Sequence, residues 1–467
     1  MPCPHKAIDV ATFHKECGVC GNLYRFQEWS EGLHNFNDHV ILSLHLCILL
    51  RQSLQNHTAV GRQLDILEAT HQTKYASHDS ILHGYLHFEA LSSHDHNFSC
   101  VNCGDHPAVV VMDLHKKGVF KMAVSDIKDP PPDFNGRVNI EDFWSSGSEE
   151  IVCRGFLKSK PGVNNPCGVK PSYLNWAPWI SPRTRASDVV LNTENAKVKP
   201  TKPTDQATLD LAEDHLVDQL MKLKAADLRT LVKGCGLDAT GSKMDLLLRL
   251  REEMKTRSTY DKVFEKVWGA SGGWAVIMCP CGIVNAVKFN LRAESPRDYA
   301  DMLLSFRHFP NVAMYDFARG LVAHTNLREP GDLPFQPNEG RVAAATPDNI
   351  SAAKKGEIKV HFPWLIQQKV PADAGGHPAT GCAEHYALYD TFHQQNTKDD
   401  RDALRLIKLV PELCGWVNSQ VAEQLFADMK KNNYFMNMLS PTSHVFLMRN
   451  ILHHRNEQLM LIILHYT

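Results

Sequence analysis

The chain has 467 residues, 43% hydrophobic and 22% charged. This composition excludes a wholly disordered chain, a collagen-like repeat and a coiled-coil rod, and at about 100–200 residues per domain it allows two to four domains. With 50 basic against 52 acidic residues the net charge is −2, which excludes a uniformly basic nucleic-acid binder but leaves room for a local basic face.

The opening residues, MPCPHKAIDV, lack the charged-then-apolar profile of a secretory signal, and the 13 cysteines are odd in number and spread along the chain. Both point to a reducing compartment, where paired cysteines more often mean metal than disulfide. The longest apolar stretch, residues 40–50, contains His45 and is too short to span a bilayer, so no membrane partner is expected. Asp38 is placed to cap a helix running to about His57, and a second helix is expected near 60–70. A short buried strand follows at 108–112, with Asp113 just after it. Lys116, Lys117 and Gly118 read as a turn into a second strand over 118–124, which the run DPPPD at 129–133 ends.

From about Thr184 to Asp214 the chain is polar, with Pro200 and Pro203, and reads as a linker; residues 216–257 are helical and locally basic. Two strands around a turn are expected in GGWAVIMCPCGIVNAVKFNL. Ser295-Pro296 then starts a helix, and PNVAMYD (310–316) is a strand ending in an acid. Helices holding 417–431 and 443–454 close the chain.

Two CxxC pairs occur, Cys17/Cys20 and Cys100/Cys103, where random placement gives about 0.3. Two such knuckles brought together by the fold would hold a tetrahedral structural Zn²⁺; buried free thiols are the alternative. Cys279-Pro-Cys281 has a spacing less suited to one metal and reads as structural thiols. In LKAADLRTLVKGCGLDATGSKMDLLLRLREEM (223–254) a first helix buries Leu228, Leu231 and Val232 and ends at Gly234 and Gly236. Ser242 caps a second helix with Asp245 as its capping-box partner, and Leu246, Leu247 and Leu250 face back. GLDATGSK (236–243) approaches the phosphate-loop pattern but reads G-S-K where G-K-[ST] is needed, and it follows a helix. The helical hairpin resembles the SAP domain, a small DNA-binding module. The resemblance implies that Arg229, Lys233 and Lys243 contact phosphate, Lys243 at a helix start where backbone N–H groups also favour anions. An ordinary hairpin with a solvated charged face is the alternative.

Two-metal phosphoryl chemistry needs clustered carboxylates, because Mg²⁺ takes hard oxygen ligands. Asp113 at the end of one strand, Asp316 at the end of another and Glu423 on a later helix fit an RNase H-like arrangement; Asp316, Asp390 and Glu423 form a rival set. The segments CVNCGDHPAVVVMD, CPCGIVNAVKFNLRAESPRDYADMLLSF, NVAMYDFARG and NSQVAEQLF together resemble transposases of the KDZ (Zisupton-like) group, over about residues 15–456. The resemblance implies an RNase H-like catalytic core, DNA as partner, catalytic Mg²⁺ on Asp113, Asp316 and Glu423, and a nuclear location. Self-association is left open. The family often reads Asp-Gly at its first acid, where this chain has Asp113-Leu114. The expected fold class is therefore mixed α/β. It comprises a Cys/His-rich helical region over 1–106, a core divided between 107–182 and 270–456, a linker over 183–215 and the SAP-like unit over 216–257, inserted between the second and third core strands. A domesticated, catalytically silent DNA-binding or scaffold protein is the alternative to a DNA strand-cleaving enzyme.

Overall fold

The fold is described from a computed structural model, which covers residues 1–467 apart from 17, 20–22, 26–28, 76, 121–132, 157–170, 173–175, 195–219, 221–222, 254–271, 292–294, 390–398, 416 and 467. Helices α1 (Leu44–Gln55), α2 (Val60–His71) and α3 (His78–Leu91) precede the long strand β1 (Val109–Phe120), helix α4 (Ile140–Phe156) and the short strand β2 (Trp179–Ile180). Helices α5 (Ala225–Gly234) and α6 (Lys243–Glu253) lead to strands β3 (Gly272–Met278) and β4 (Val284–Asn290). Helix α7 (Pro296–Leu304), strand β5 (Val312–Met314), helices α8 (Ala318–Arg328) and α9 (Pro347–Lys355), strand β6 (Tyr386–Leu388) and helices α10 (Val421–Met429) and α11 (Pro441–Tyr466) complete the principal elements.

Two compact units are interleaved along the chain. The first comprises 1–96, 141–172 and 428–457, and the second 97–140, 173–427 and 458–467. The first unit is mainly helical but, unlike the expected helical region, also holds two small antiparallel sheets, His14–Glu16 with Leu23–Arg25 and Leu33–Asn35 with Ile41–Ser43. Arg51 of α1 forks onto Glu89 of α3, with Nε 2.8 Å from Oε1 and Nη2 3.0 Å from Oε2. Arg449 of α11 lies 4.3 Å over the Trp144 ring of α4, and Arg154 of α4 donates to Ser443 Oγ at 2.7 Å. Helix α1 starts later than Asp38. Its N-cap is Ser43, whose side chain accepts from Leu46 N at 3.1 Å, while Asp38 sits in a turn at φ +60° and accepts from Asn35 Nδ2 at 2.7 Å. A hydroxyl fits the cap and a short carboxylate tolerates the left-handed turn, so each residue takes the place its chemistry suits.

The second unit is built on a six-stranded mixed sheet in the order β6-β5-β1-β3-β4-β2. Strands β5 and β6 run parallel to β1, whereas β3 is antiparallel to both β1 and β4. Val109, Val110, Val111 and Met112 are all buried, as are all seven residues of β4. Complete burial of this kind marks strands covered on both faces, and in β4 it takes in Asn285, Lys288 and Asn290. In place of the expected turn at Lys116, Lys117 and Gly118, β1 continues to Phe120 and pairs with β3 (Val111 with Met278, His115 with Trp274), with a shift in register between His115 and Phe120; residues 121–124 of the expected second strand lie outside the described residues. WAVIM offers β1 a buried apolar partner of matching length, which the charged KKG segment cannot. The helical hairpin α5–α6 accordingly lies between the first and second long strands, one position earlier than expected.

Residues read as the start of a linker are built into this unit as far as Glu194. Val189–Leu191 pairs with Arg137–Asn139, and Thr193 N donates to Asp301 Oδ2 at 2.9 Å. Helix α7 begins as expected, with Ser295 Oγ accepting from Arg297 N at 3.3 Å and Pro296 in the first turn. It is held on the sheet by buried charge: Lys288 Nζ of β4 lies 2.7 Å from Asp298 Oδ1 and 3.3 Å from Asp301 Oδ2, all fully buried, and Arg328 of α8 also pairs with Asp301. Removing one partner of such a set strands the other's charge in the interior. Lys288→Met is therefore expected to cost about 3–5 kcal/mol in chemical denaturation, far more than the loss of one exposed pair would.

Candidate active site and metal centre

Strand register brings two of the three expected acids together. Val111 of β1 pairs in parallel with Met314 of β5. Asp113 and Asp316 each stand two residues beyond that pair; Asp316 follows the end of β5, whereas Asp113, expected to end its strand, lies within β1 opposite Val276 of β3, because β1 runs on to Phe120. Helix α10 brings the third acid, Glu423, in its first turn. It is seated by Phe426, which packs edge-on against Trp274 of β3 at 5.4 Å between ring centroids. Asp113, Asp316 and Glu423 line one cavity together with Val111, Met112, Met314, Tyr315, Ser419 and Ala422. All three acids are half-buried, above a floor of fully buried strand residues. Asp113 Oδ1 accepts from the N–H of Leu114 at 2.7 Å. Hard oxygen donors lining one cavity suit Mg²⁺ rather than a soft cation. Asp390, the middle member of the rival set, lies outside the described residues.

The thiols assemble differently from expectation. Cys100 and Cys103 meet Cys279 and Cys281, and the four sulfurs all lie within 4.8 Å of one another. Cys17 and Cys20, the expected partners, lie outside the described residues. Four sulfurs around a tetrahedral Zn²⁺ at about 2.3 Å would stand about 3.8 Å apart. Cys103 Sγ and Cys281 Sγ are separated by 3.8 Å. Each knuckle is a tight turn completed by a glycine in the left-handed region. Gly104 (φ +69°) exchanges backbone hydrogen bonds with Cys100, and Gly282 (φ +87°) donates to the Cys279 carbonyl at 2.9 Å. That turn overturns the reading of Cys279-Pro-Cys281 as separate structural thiols, because it curls the two side chains toward one point between β3 and β4. Crowding also divides the thiols by acidity. S–H groups of Cys103, Cys279 and Cys281 hold Cys100 far below the usual thiol range, while that thiolate pushes Cys103 and Cys279 up. A divalent cation relieves this conflict, since it lets all four ionise. These residues fit Zn²⁺.

The α5–α6 hairpin has a core of its own, in which Leu228, Leu231, Val232, Leu246, Leu247 and Leu250 are buried together with Leu220. The capping box forms: Ser242 N donates to Asp245 Oδ2 at 2.8 Å and Asp245 N to Ser242 Oγ at 3.3 Å. Arg229, Lys233 and Lys243 are all exposed, and Arg229 Nη2 donates to the Gly241 carbonyl at 3.4 Å, just before α6.

Residues 5–93 match the family described as the CxC4 like cysteine cluster associated with KDZ transposases. The chain is also similar to HMG domain-containing protein 3 of Homo sapiens, at 25% identity over 421 residues. That match covers 84% of this chain but 31% of the relative, so the chain spans about a third of the length of the protein it resembles. No solved structure matches it. Both similarities agree with the resemblance carried by the sequence motifs. Among the described residues no helix is long and apolar enough to cross a membrane.

The residues that sequence reasoning assigned wrongly are Cys279 and Cys281. The available signal was the glycine after the second cysteine of each pair, Gly104 and Gly282, which marks a turn rather than a strand. Cys103→Ser in the full chain is expected to remove about one equivalent of Zn²⁺ and to lower the melting temperature. Metal analysis alongside a thermal melt checks both.

Proposed function

We propose that this is a transposase-derived DNA-binding protein whose six-stranded unit is an RNase H-like core of the DDE type, acting on DNA in the nucleus. The observation that carries this reading is the cavity shared by Asp113, Asp316 and Glu423. These acids come from three distant parts of the chain and line one cavity, which supports metal-assisted phosphoryl transfer. The strand order, with β3 antiparallel between β1 and β4 and with β5 and β6 parallel to β1, supports the RNase H-like assignment. The match of residues 5–93 supports the transposase origin, and similarity to a protein named for its HMG domain supports DNA as partner and the nucleus as location.

In this reading Asp113 and Asp316 present carboxylate oxygens from the rigid sheet, and Glu423 closes the set from α10. Mg²⁺ bound by the three would activate a water or a 3′-hydroxyl and stabilise the leaving oxygen. The buried strands below fix the carboxylates so that little reorganisation accompanies the reaction. The α5–α6 hairpin acts as a SAP-like module, with Arg229, Lys233 and Lys243 holding phosphates without reading bases. Zn²⁺ on Cys100, Cys103, Cys279 and Cys281 fixes the β3–β4 turn.

A second reading, a catalytically silent DNA-binding scaffold, is favoured by one observation. Asp113 is followed by the buried Leu114, whose N–H already occupies one carboxylate oxygen. A Mg²⁺-dependent nicking assay on the purified chain separates the two. Asp316→Asn is expected to keep fold and DNA affinity and to slow cleavage about a hundredfold or more, since metal stabilisation of the transition state is worth several kcal/mol. Wild-type protein that binds DNA but never nicks it would establish the scaffold. Neutralising Arg229, Lys233 and Lys243 together should weaken DNA binding across sequences and flatten the slope of log K against log salt by about 3.

A further inference from the structure

A group of histidines and carboxylates in the helical unit lies apart from both sites described so far. Glu89 is the third residue from the end of α3, His94 follows that helix, and His454 stands on α11. Their ligand atoms all lie within 4.8 Å of one another. Glu89 is 1% exposed, and its Oε2 is 2.9 Å from His94 Nε2 and 4.0 Å from His454 Nε2.

The tautomer of His454 makes this arrangement informative. Its Nδ1 donates to Glu457 Oε2 at 2.9 Å. A proton on Nδ1 makes Nε2 the lone-pair nitrogen of the neutral ring, the form that binds a metal. That Nε2 is buried and makes no hydrogen bond of normal length; Glu89 Oε2 lies 4.0 Å from it. The imidazole nitrogen and the carboxylate oxygen thus face each other across 4.0 Å, beyond normal hydrogen-bond length and with room for an ion between them. An imidazole whose far nitrogen donates to a carboxylate is the usual outer-shell arrangement of a metal-ligating histidine. Ligands of one tetrahedral ion with bonds of 2.0–2.2 Å stand roughly 3.3 Å apart, between the two separations seen here.

We infer that Glu89, His94 and His454 form a second metal site, which takes a borderline divalent cation such as Zn²⁺. One carboxylate and two imidazoles suit Zn²⁺ and its first-row neighbours; Mg²⁺ and Ca²⁺, which prefer all-oxygen shells, fit poorly. Arg51 forks onto both oxygens of Glu89, Nε to Oε1 at 2.8 Å and Nη2 to Oε2 at 3.0 Å, so the ion takes a remaining lone pair of Oε2. The ion displaces the proton that His94 Nε2 otherwise shares with Glu89. It joins α3 to α11, segments separated by more than 300 positions of sequence, and three protein ligands leave a fourth position for water. His94 and His454 both lie outside the segment matched to the cysteine-cluster family.

The test uses the full chain loaded with Zn²⁺ or with Co²⁺. His94→Gln and His454→Gln, checked for folding by near-UV circular dichroism, should each bind about one equivalent less metal than wild type. The thiolate-to-cobalt charge-transfer absorption should be unchanged, because no sulfur is lost. Folded variants that bind as much metal as wild type would overturn the site and leave a metal-free ion-pair network. Loss of thiolate absorption in step with the missing metal would overturn it too. Should neither variant fold, anomalous scattering at the zinc edge from crystals of Zn²⁺-soaked wild type decides: a peak bonded to Glu89, His94 and His454 supports the site, and its absence overturns it.

Discussion

The parallel pairing of Val109, Val110 and Val111 with Val312, Ala313 and Met314 is the constraint on which the rest of the second unit depends. Strand side chains alternate strictly, so a slip of one residue would turn Asp113 or Asp316 toward the opposite face. Nothing polar sets that register, because all six residues are buried and apolar. The fit of Val, Ala and Met side chains between their neighbours decides it. The placement of the two carboxylates is thus inherited from core packing, and only Glu423 is added from outside the sheet. Helix α10 then depends in its turn on a contact to the same sheet, through Phe426 on Trp274.

The charges inside this core are arranged to be neutral in sum. Lys288 and Arg328 face Asp298 and Asp301, and Thr193 supplies a further N–H and a hydroxyl to Asp301. Burying ions in this way adds little net stability over apolar packing, but any incomplete version of the set is strongly disfavoured. The cluster therefore acts on specificity, because it admits one seating of α7 on β4. Lys288 is held above its ordinary pKa although burial alone would lower it; Asp298 and Asp301 supply the opposing attraction.

Much of this was legible in the sequence, and the exceptions have physical causes. Asp316 at a strand end and Glu423 on a late helix stand on the elements expected of them, whereas Asp113, expected to end its strand, lies in one that runs on to Phe120. The helical hairpin could be found because its leucines, glycines and capping box all agree. Pairing between distant segments leaves no such mark. The KKG run looked like a turn because it is polar and contains glycine, yet β1 runs through it once β3 is available as partner. Cys279 and Cys281 were judged on spacing alone, whereas the hairpin turn and Gly282 determine where their sulfurs point. Glu89 was invisible as a ligand because His94 and His454 acquire meaning only when α3 and α11 meet.

The long strand β1 carries a consequence for how this chain tolerates change. His115 and Trp274 pair across roughly 160 residues, so closing that loop is costly in entropy, but the cost grows only with the logarithm of length. Doubling such a loop adds only about 0.6 kcal/mol, so a folded hairpin such as α5–α6 can be carried within it almost free of thermodynamic charge. The toll is kinetic. The sheet's central pairing is among the most non-local in the molecule, and it forms late relative to the self-contained hairpin and the short β3–β4 turn. A connection of this kind is where a lineage can acquire or exchange a module without disturbing the register beneath its carboxylates.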